Sequence, residues 1–409
     1  MQEFFEVLNM SIDGIVGEYN PFHNGHAYHL QKTRELLGEA SPVVCVMSGD
    51  FVQRGEAAVY SKFARAEAAC RSGVDLVIEL PLPWALSSAE GFARGAVSLL
   101  AGLGCKTISF GSESGEVEPL EQLAQALITP GMNGRIKERL AADASLSYAA
   151  ARQLAAADVL GGETARLLES PNNILAVEYL KAIYELRTDL QPVTVPRFGS
   201  GHDQTGGGGP KSASEIRRMM ANGKSVAAEL PESAAAIYFR EDKNGRGRPD
   251  RQAIEIALLS RLRWLDERDF ERLPDAQDGL GRRLYRAVRE EPTLDAVMAA
   301  AKTKRYALSR IRRMLFCAAL GVTAETAQGL PPYARVLAAN SCGCELLREA
   351  GRRTALPIVT KPAAVKELDR ACYELFTLGA RAHDLYVLGY RAAEERRGGG
   401  DWRTSPVIL

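Results

Sequence analysis

Charge of one sign is what this sequence lacks: 51 Lys and Arg are offset by 51 Asp and Glu over 409 residues, for a formal net charge of zero. An unbiased chain has no global pull toward nucleic acid or an anionic membrane, so any basic binding surface has to be local. Long apolar runs are missing too. No stretch approaches the ~18 to 20 uninterrupted apolar residues of a bilayer span, and the first ten residues, with Glu3 and Glu6, lack the positive start of a signal peptide. A cytoplasmic protein without membrane association is expected, with Met10 a candidate native start beside Met1. Cysteine is sparse: seven are scattered, an odd number that suits a reducing compartment. The close pair Cys342 and Cys344 has no histidine beside it and no second pair, which argues against zinc, and no metal ligands are assigned.

What is present is ordinary globular material, 46% hydrophobic and 25% charged, which excludes a disordered or disulfide-stapled chain. At this length one core is exceeded and two or three domains are expected. Residues 12–16, 43–47, 76–80 and 107–110 are short apolar runs of the kind that form strands buried on both faces. Residues 26–37, 61–72 and 89–100 lie between them with helical apolar spacing. This alternation predicts βαβ units: an α/β fold with a doubly wound, Rossmann-like parallel sheet, whose ligands bind beyond the carboxyl ends of the strands. Residues 118–161 and 172–186 read as helices, the latter opened by Ser170, Pro171 and Asn172; 193–195 reads as a further strand and 212–220 as a helix after a glycine-rich loop at 199–210. Beyond about 235 the pattern is helical and Arg-rich, with short strands expected at 356–359 and 384–388. The division is placed at 1–225 and 226–409.

Directly after the first strand stands Gly17-Glu18-Tyr19-Asn20-Pro21-Phe22-His23-Asn24-Gly25-His26, running into a helix. A helix start offers free N–H groups and the positive end of its dipole, and imidazoles there can donate to phosphate oxygens. Gly25 lets backbone approach closely. His23-Asn24-Gly25-His26 resembles the HxGH signature of the nucleotidylyl transferase superfamily. Together with Ser48-Gly49-Asp50-Phe51-Val52-Gln53-Arg54-Gly55-Glu56, Ser170-Pro171-Asn172-Asn173-Ile174-Leu175 and Ser212-Ala213-Ser214-Glu215-Ile216-Arg217, the longer string resembles the bacterial tRNA(Met) cytidine acetate ligase family.

The resemblance implies that residues 1–225 form an ATP-binding catalytic domain and 226–409 a mainly helical, tRNA-binding one. It implies activation of acetate with ATP to acetyl-adenylate, release of pyrophosphate, and transfer of acetyl to N4 of the wobble cytidine of elongator tRNA(Met). His23 and His26 would be catalytic, His26 at the α-phosphate, and Mg²⁺ would bridge the β and γ oxygens. Read against the family, ATP contacts fall on Gly14, Ile15, Val16, Gly17, Glu18, Tyr19, Asn20, Pro21, Phe22, Asn24, Gly25, Ala27, Gly111, Asn172 and Arg197. Ser212, Ser214 and Arg217 would add an anion clamp. The loop Ser48, Gly49, Asp50, Gln53 and Arg54 would face acetate or the incoming cytidine.

The segment from Gly206 to Ser212 superficially suggests a P-loop, but Pro210 stands where the Walker A glycine before Lys would be. His202 could join the site, whereas His383 reads as structural. Cations interleaved with tyrosine can hold RNA, or can be a solvated helix face: Lys304, Arg305, Arg310, Arg312 and Arg313, with a second stretch at 282–286. A small-molecule nucleotidylyltransferase acting on a phosphorylated metabolite is the alternative, since it would share the first motif. No obligate protein partner is implied.

Overall fold

The computed structural model describes residues 11–143, 145–197, 209–277, 279–304 and 306–409. Its centre is an eight-stranded sheet of β1 (Asp13–Gly17), β2 (Val43–Ser48), β3 (Leu76–Leu80), β4 (Thr107–Ser112), β5 (Gln191–Pro196), β6 (Ala334–Ala339), β7 (Ile358–Val359) and β8 (Val407–Ile408). The order is β8-β6-β3-β2-β1-β4-β5, with β7 also on β6, and every pairing is parallel except β6 against β3. From β1 the chain builds outward through β2 and β3, then returns to place β4 on the other side of β1. The reversal opens a crevice at the carboxyl ends of β1 and β4, where a doubly wound sheet binds its ligand.

Helices α1 (Asn24–Leu37), α2 (Lys62–Arg71), α3 (Ala89–Gly102), α4 (Pro171–Leu186), α5 (Ala213–Ala221), α6 (Arg251–Arg263), α7 (Leu308–Leu320) and α8 (Arg370–Val387) carry the rest of the argument. Alternate strand residues explain both layers. Val44, Val46, Leu76 and Ile78 pack under α3 and α4, while Val43, Cys45, Met47 and Val77 pack under α1, α2 and α5. A separate helical core joins α6, α7 and α8. Among the described residues no helix is long and apolar enough to cross a membrane.

Three of the eight strands come from beyond residue 226, so the sheet is shared by the two regions marked out in the sequence. The strand expected at 384–388 is instead the end of α8. Its buried Cys372, Phe376, Ala380, His383 and Val387 recur at three- and four-residue spacing, the stripe of a helix packed along one face. The strand expected at 356–359 is present as the two residues of β7.

A buried charge cluster ties the ends of the chain together. Lys62 of α2 reaches Glu79 at 2.8 Å and Asp401 at 2.6 Å, and Arg335 of β6 reaches the same two carboxylates at 2.9 and 2.8 Å. Asp50 joins beside it, accepting from the Lys62 backbone N–H at 2.8 Å and meeting His383 Nδ1 at 2.8 Å.

A candidate nucleotide site at the switch point

The crevice holds a cleft of about 790 Å³ lined by the β1 end, the start of α1, Gly111, Asn172 and Arg197. Its decisive feature is how α1 begins. His23 is the N-cap, and its Nδ1 accepts from the Gly25 N–H at 3.0 Å; His26, one turn in, accepts from the His23 N–H through its own Nδ1 at 3.3 Å. This is a capping box built from two histidines where Ser and Glu are usual. A Cβ on residue 25 would lie 2.8 Å from the His23 ring, so glycine is what lets that ring fold onto the helix end.

With both Nδ1 atoms accepting from backbone, each ring carries its proton on Nε2. The rings lie with centroids 3.9 Å apart and planes tilted by 36°, and both line the cleft. Burial, with Arg197 and Arg217 nearby, brings His23 down to about 4; burial and the neighbouring histidines hold His26 well below its ordinary value. His29 continues the column one turn on, Nε2 3.0 Å from Ser109 Oγ, and is likewise brought to about 4 by burial. At neutral pH the site therefore presents uncharged N–H donors at a helix N-terminus.

Around them, Arg197 Nη1 donates to Asn172 Oδ1 at 2.8 Å, and Asn172 Nδ2 donates to Glu113 at 2.5 Å, fixing amide and guanidinium at the rim. Glu18 accepts from the Gln53 N–H at 2.9 Å; burial raises its pKa against the pull of that N–H and of Arg217. Ile15, Val16, Gly17, Tyr19 and Asn20 complete the β1 side.

The chain matches the HIGH Nucleotidyl Transferase family over residues 10–401. It is 35% identical to a tRNA(Met) cytidine acetate ligase of Acetivibrio thermocellus over 98% of this chain and all of that one, and 38% identical to one of Syntrophotalea carbinolica over 91% and 88%. Among solved structures it is similar to Thermotoga maritima TmcAL bound with α-thio ATP, with a TM-score of 0.89, 33% identity and 98% and 100% coverage; against the apo form the TM-score is 0.90. The chain belongs to the tRNA(Met) cytidine acetate ligase family.

Not every residue singled out by the likeness to these acetate ligases faces the cleft. Gly14 lies in the sheet against Leu100, Phe22 is fully buried with its N–H on Tyr238 Oη at 2.9 Å, and Asn24 Nδ2 donates to the Ala228 carbonyl at 2.9 Å. Pro21 and Ala27 do not line the cleft either. Ser212 caps α5, its Oγ donating to Glu215 at 2.7 Å, and Ser214 receives Arg217 at 3.4 Å. Neither hydroxyl lines the cleft; Pro210, Lys211 and Ala213 do. Arg217 donates to the Asn20 carbonyl at 3.0 Å and so braces the motif backbone. His202 and the glycines 206–208 lie outside the described residues.

The loop after β2 divides. Gln53 and Arg54 line the cleft, but Ser48 is buried, Gly49 lies against Glu79, and Asp50 turns into the charge cluster on His383. His383 is thus a structural partner. The cations read as an RNA-binding helix face turn inward as well: Arg312 Nη1 lies 2.8 Å from Glu56, and Arg313 is largely buried near Asp275, burial lowering its pKa. Both line the cleft, while Arg310 donates to the Asp275 carbonyl at 2.6 Å; only Lys304 is exposed, and Arg305 lies outside the described residues. The second stretch is engaged too, Arg282 with Glu271 at 2.9 Å and Arg283 with the Ala300 carbonyl. Sequence reasoning missed His29, Tyr28, Phe92, Phe110 and Tyr179 as cleft residues. For His29 the signal was available in its three-residue spacing from His26.

The histidine column has a consequence for stability. His23, His26 and His29 all titrate lower in the fold than at their ordinary 6.5. Below pH 6.5 the unfolded chain binds these protons and the native state refuses them, so stability present above 6.5 is lost as pH falls toward 4. His383 is raised, Asp50 outweighing the effect of burial, and is charged in both states across that window. The urea midpoint is expected to drop steadily from pH 6.5 to 4, and His29→Gln to flatten the slope by about one proton. An unchanged slope in that variant would show that carboxylates, not these rings, are responsible.

Proposed function

We propose that this chain activates acetate with ATP and transfers the acetyl group to N4 of the wobble cytidine of elongator tRNA(Met). The observation that carries the reading is the pair of neutral Nε2–H donors fixed at the α1 N-terminus, at the switch point of the sheet. In the first step an acetate oxygen bonds to the α-phosphorus and the bond to pyrophosphate breaks. This step needs charge stabilisation more than a proton shuttle, and preorganised N–H donors supply it without carrying charge of their own. His26, deeper along α1, faces the α-phosphate; His23 and Arg197 hold the oxygens beyond, and Gly111 leaves room for the adenosine. In the second step the cytidine amine bonds to the acetyl carbon, AMP leaves, and the amine gives up one proton.

The names of the relatives and the α-thio ATP complex of the T. maritima protein support this reading. Among the described residues no group of three or more His, Cys, Asp or Glu is placed to hold a metal ion. Where ATP arrives with Mg²⁺, the triphosphate oxygens would hold the ion and it would offset their charge; neither step is routed through it. The cytoplasm, where ATP and tRNA occur together, is the matching compartment. Incubation with ATP, labelled acetate and total tRNA is expected to place label in RNA as N4-acetylcytidine, and to place none there without ATP. Label confined to a small nucleotide product overturns the proposal.

A further inference from the structure

Beside the nucleotide cleft lies a second cavity of about 630 Å³, and Arg312 lines both. Three segments pass from one to the other. Gln53 and Arg54 face the cleft while Gly55, Glu56 and Ala57 face the cavity; α5 lines the cleft at Ala213 and the cavity at Met220, and α7 the cleft at Ser309 and the cavity at Phe316. Phe51–Val52 and Glu56–Ala57 pair as a two-stranded hairpin; Gly55 in its turn sits at φ +72°, and a Cβ there would lie 3.0 Å from the α7 backbone, so the hairpin lies directly on that helix. Glu56 is placed between two cations, Oε1 2.8 Å from Arg312 and Oε2 3.8 Å from Arg217. Asn20, on the cleft side, accepts from the Val59 N–H of the cavity side at 2.8 Å. Its buried Nδ2 has no partner among the described residues.

The lining has the chemistry of a nucleotide site. Ile254, Leu258, Met298 and Leu315 give an apolar floor, and five arginines stand against three carboxylates in a chain whose overall charge is zero. The volume suits a nucleotide and is far larger than acetate requires. Arg248, 3.1 Å from Asp242, and Arg251, 3.0 Å from Asp295, are exposed and can exchange those carboxylates for a phosphate, whereas Glu56 suits a donor: a carboxylate accepts from the exocyclic amine of cytosine and repels the carbonyl that uracil has there.

We propose that this cavity receives the acceptor nucleotide of the RNA, flipped out of its stack, with the base amine on Glu56 and the backbone phosphate at Arg248 and Arg251. The inference rests on the acetyl-transfer reading above and supplies the acceptor half of it. Extrusion of the target base is the usual way an enzyme reaches an exocyclic atom.

Two half-reactions separate the possibilities. Acetate-dependent exchange of pyrophosphate into ATP reads the cleft; acetyl transfer to tRNA reads both sites. Ala221, exposed, and Leu294, partly exposed, line the cavity; Ala221→Trp and Leu294→Trp fill it and are expected to lower transfer more than tenfold with exchange within about twofold of the parent. Arg248→Asn with Arg251→Gln, which gives up two exposed ion pairs, to Asp242 and Asp295, is expected to raise the KM for tRNA about tenfold and to weaken its salt dependence. Full transfer in the tryptophan variants, or an unchanged KM in the arginine variant, overturns the proposal while leaving the first reading intact. Absence of exchange in the parent protein would instead remove the reading on which it rests.

Discussion

His26→Ala is expected to lower acetate-dependent exchange between pyrophosphate and ATP by about 10²–10³-fold or more, while the chain stays folded. One preorganised donor to a developing charge is worth about that much, and His26 has no substitute, because its Nε2–H is aimed by the very bond that engages its Nδ1. The structural cost is smaller: losing one member of a capping box removes about 1 kcal/mol from a helix whose Leu30 and Thr33 are still buried. Far-UV circular dichroism and an unchanged gel-filtration volume separate the two effects. The pH profile adds a second reading. A ring held well below 6.5 is neutral throughout the working range, so exchange is expected to stay flat between pH 8 and 6 as far as the histidines are concerned. A rate rising as pH falls through 6.5 would mean that an imidazolium does the work. Exchange undiminished in His26→Ala would remove the mechanism altogether.

How much of this was legible depended on where side chains look. Strands β2 and β3 are buried along their whole length, so they stood out as apolar runs, broken in β3 only by Glu79. The start of α1 was readable because capping and phosphate binding use adjacent residues in one segment. Strand β6, Ala-Arg-Val-Leu-Ala-Ala, was not readable: it is short and alanine-rich in a helical neighbourhood, and its pairing in the sheet, with β3 more than 250 residues away on one side and β7 and β8 on the other, makes it a strand. The same limit explains Arg312 and Arg313. Spacing along α7 places them on a face, but only the hairpin bearing Glu56 and the segment bearing Asp275 show that this face is covered. Asp50 and Gln53 lie three residues apart in one loop, yet one turns to His383 and the other to the cleft, a choice that α8 makes from far along the chain.

Lys62→Met is expected to destabilise the fold by about 3–5 kcal/mol, a large share of the ~5–15 kcal/mol that holds a domain together. Its side chain is 1% exposed and lies between Glu79 and Asp401, with Arg335 the other cation on both carboxylates. Burial and Arg335 work against the charge on Lys62, but Asp401 and Glu79 outweigh them and raise its pKa; burial likewise opposes ionisation of Asp401, which Lys62 and Arg335 hold well below the usual carboxylate range. Removing the ammonium leaves one guanidinium to balance two buried carboxylates, and the penalty is mainly that of the group left behind. Adding Glu79→Gln to Lys62→Met restores one cation to one anion and should recover much of the loss. Urea denaturation of the parent, the single and the double variant measures this directly, and a single variant within about 1 kcal/mol of the parent would show the cluster to be energetically neutral. Asp50 receives the Lys62 backbone N–H and lies in the loop that carries Gln53 and Arg54 into the cleft, so a continuous series of contacts runs from Asp401 through Lys62 to the nucleotide site.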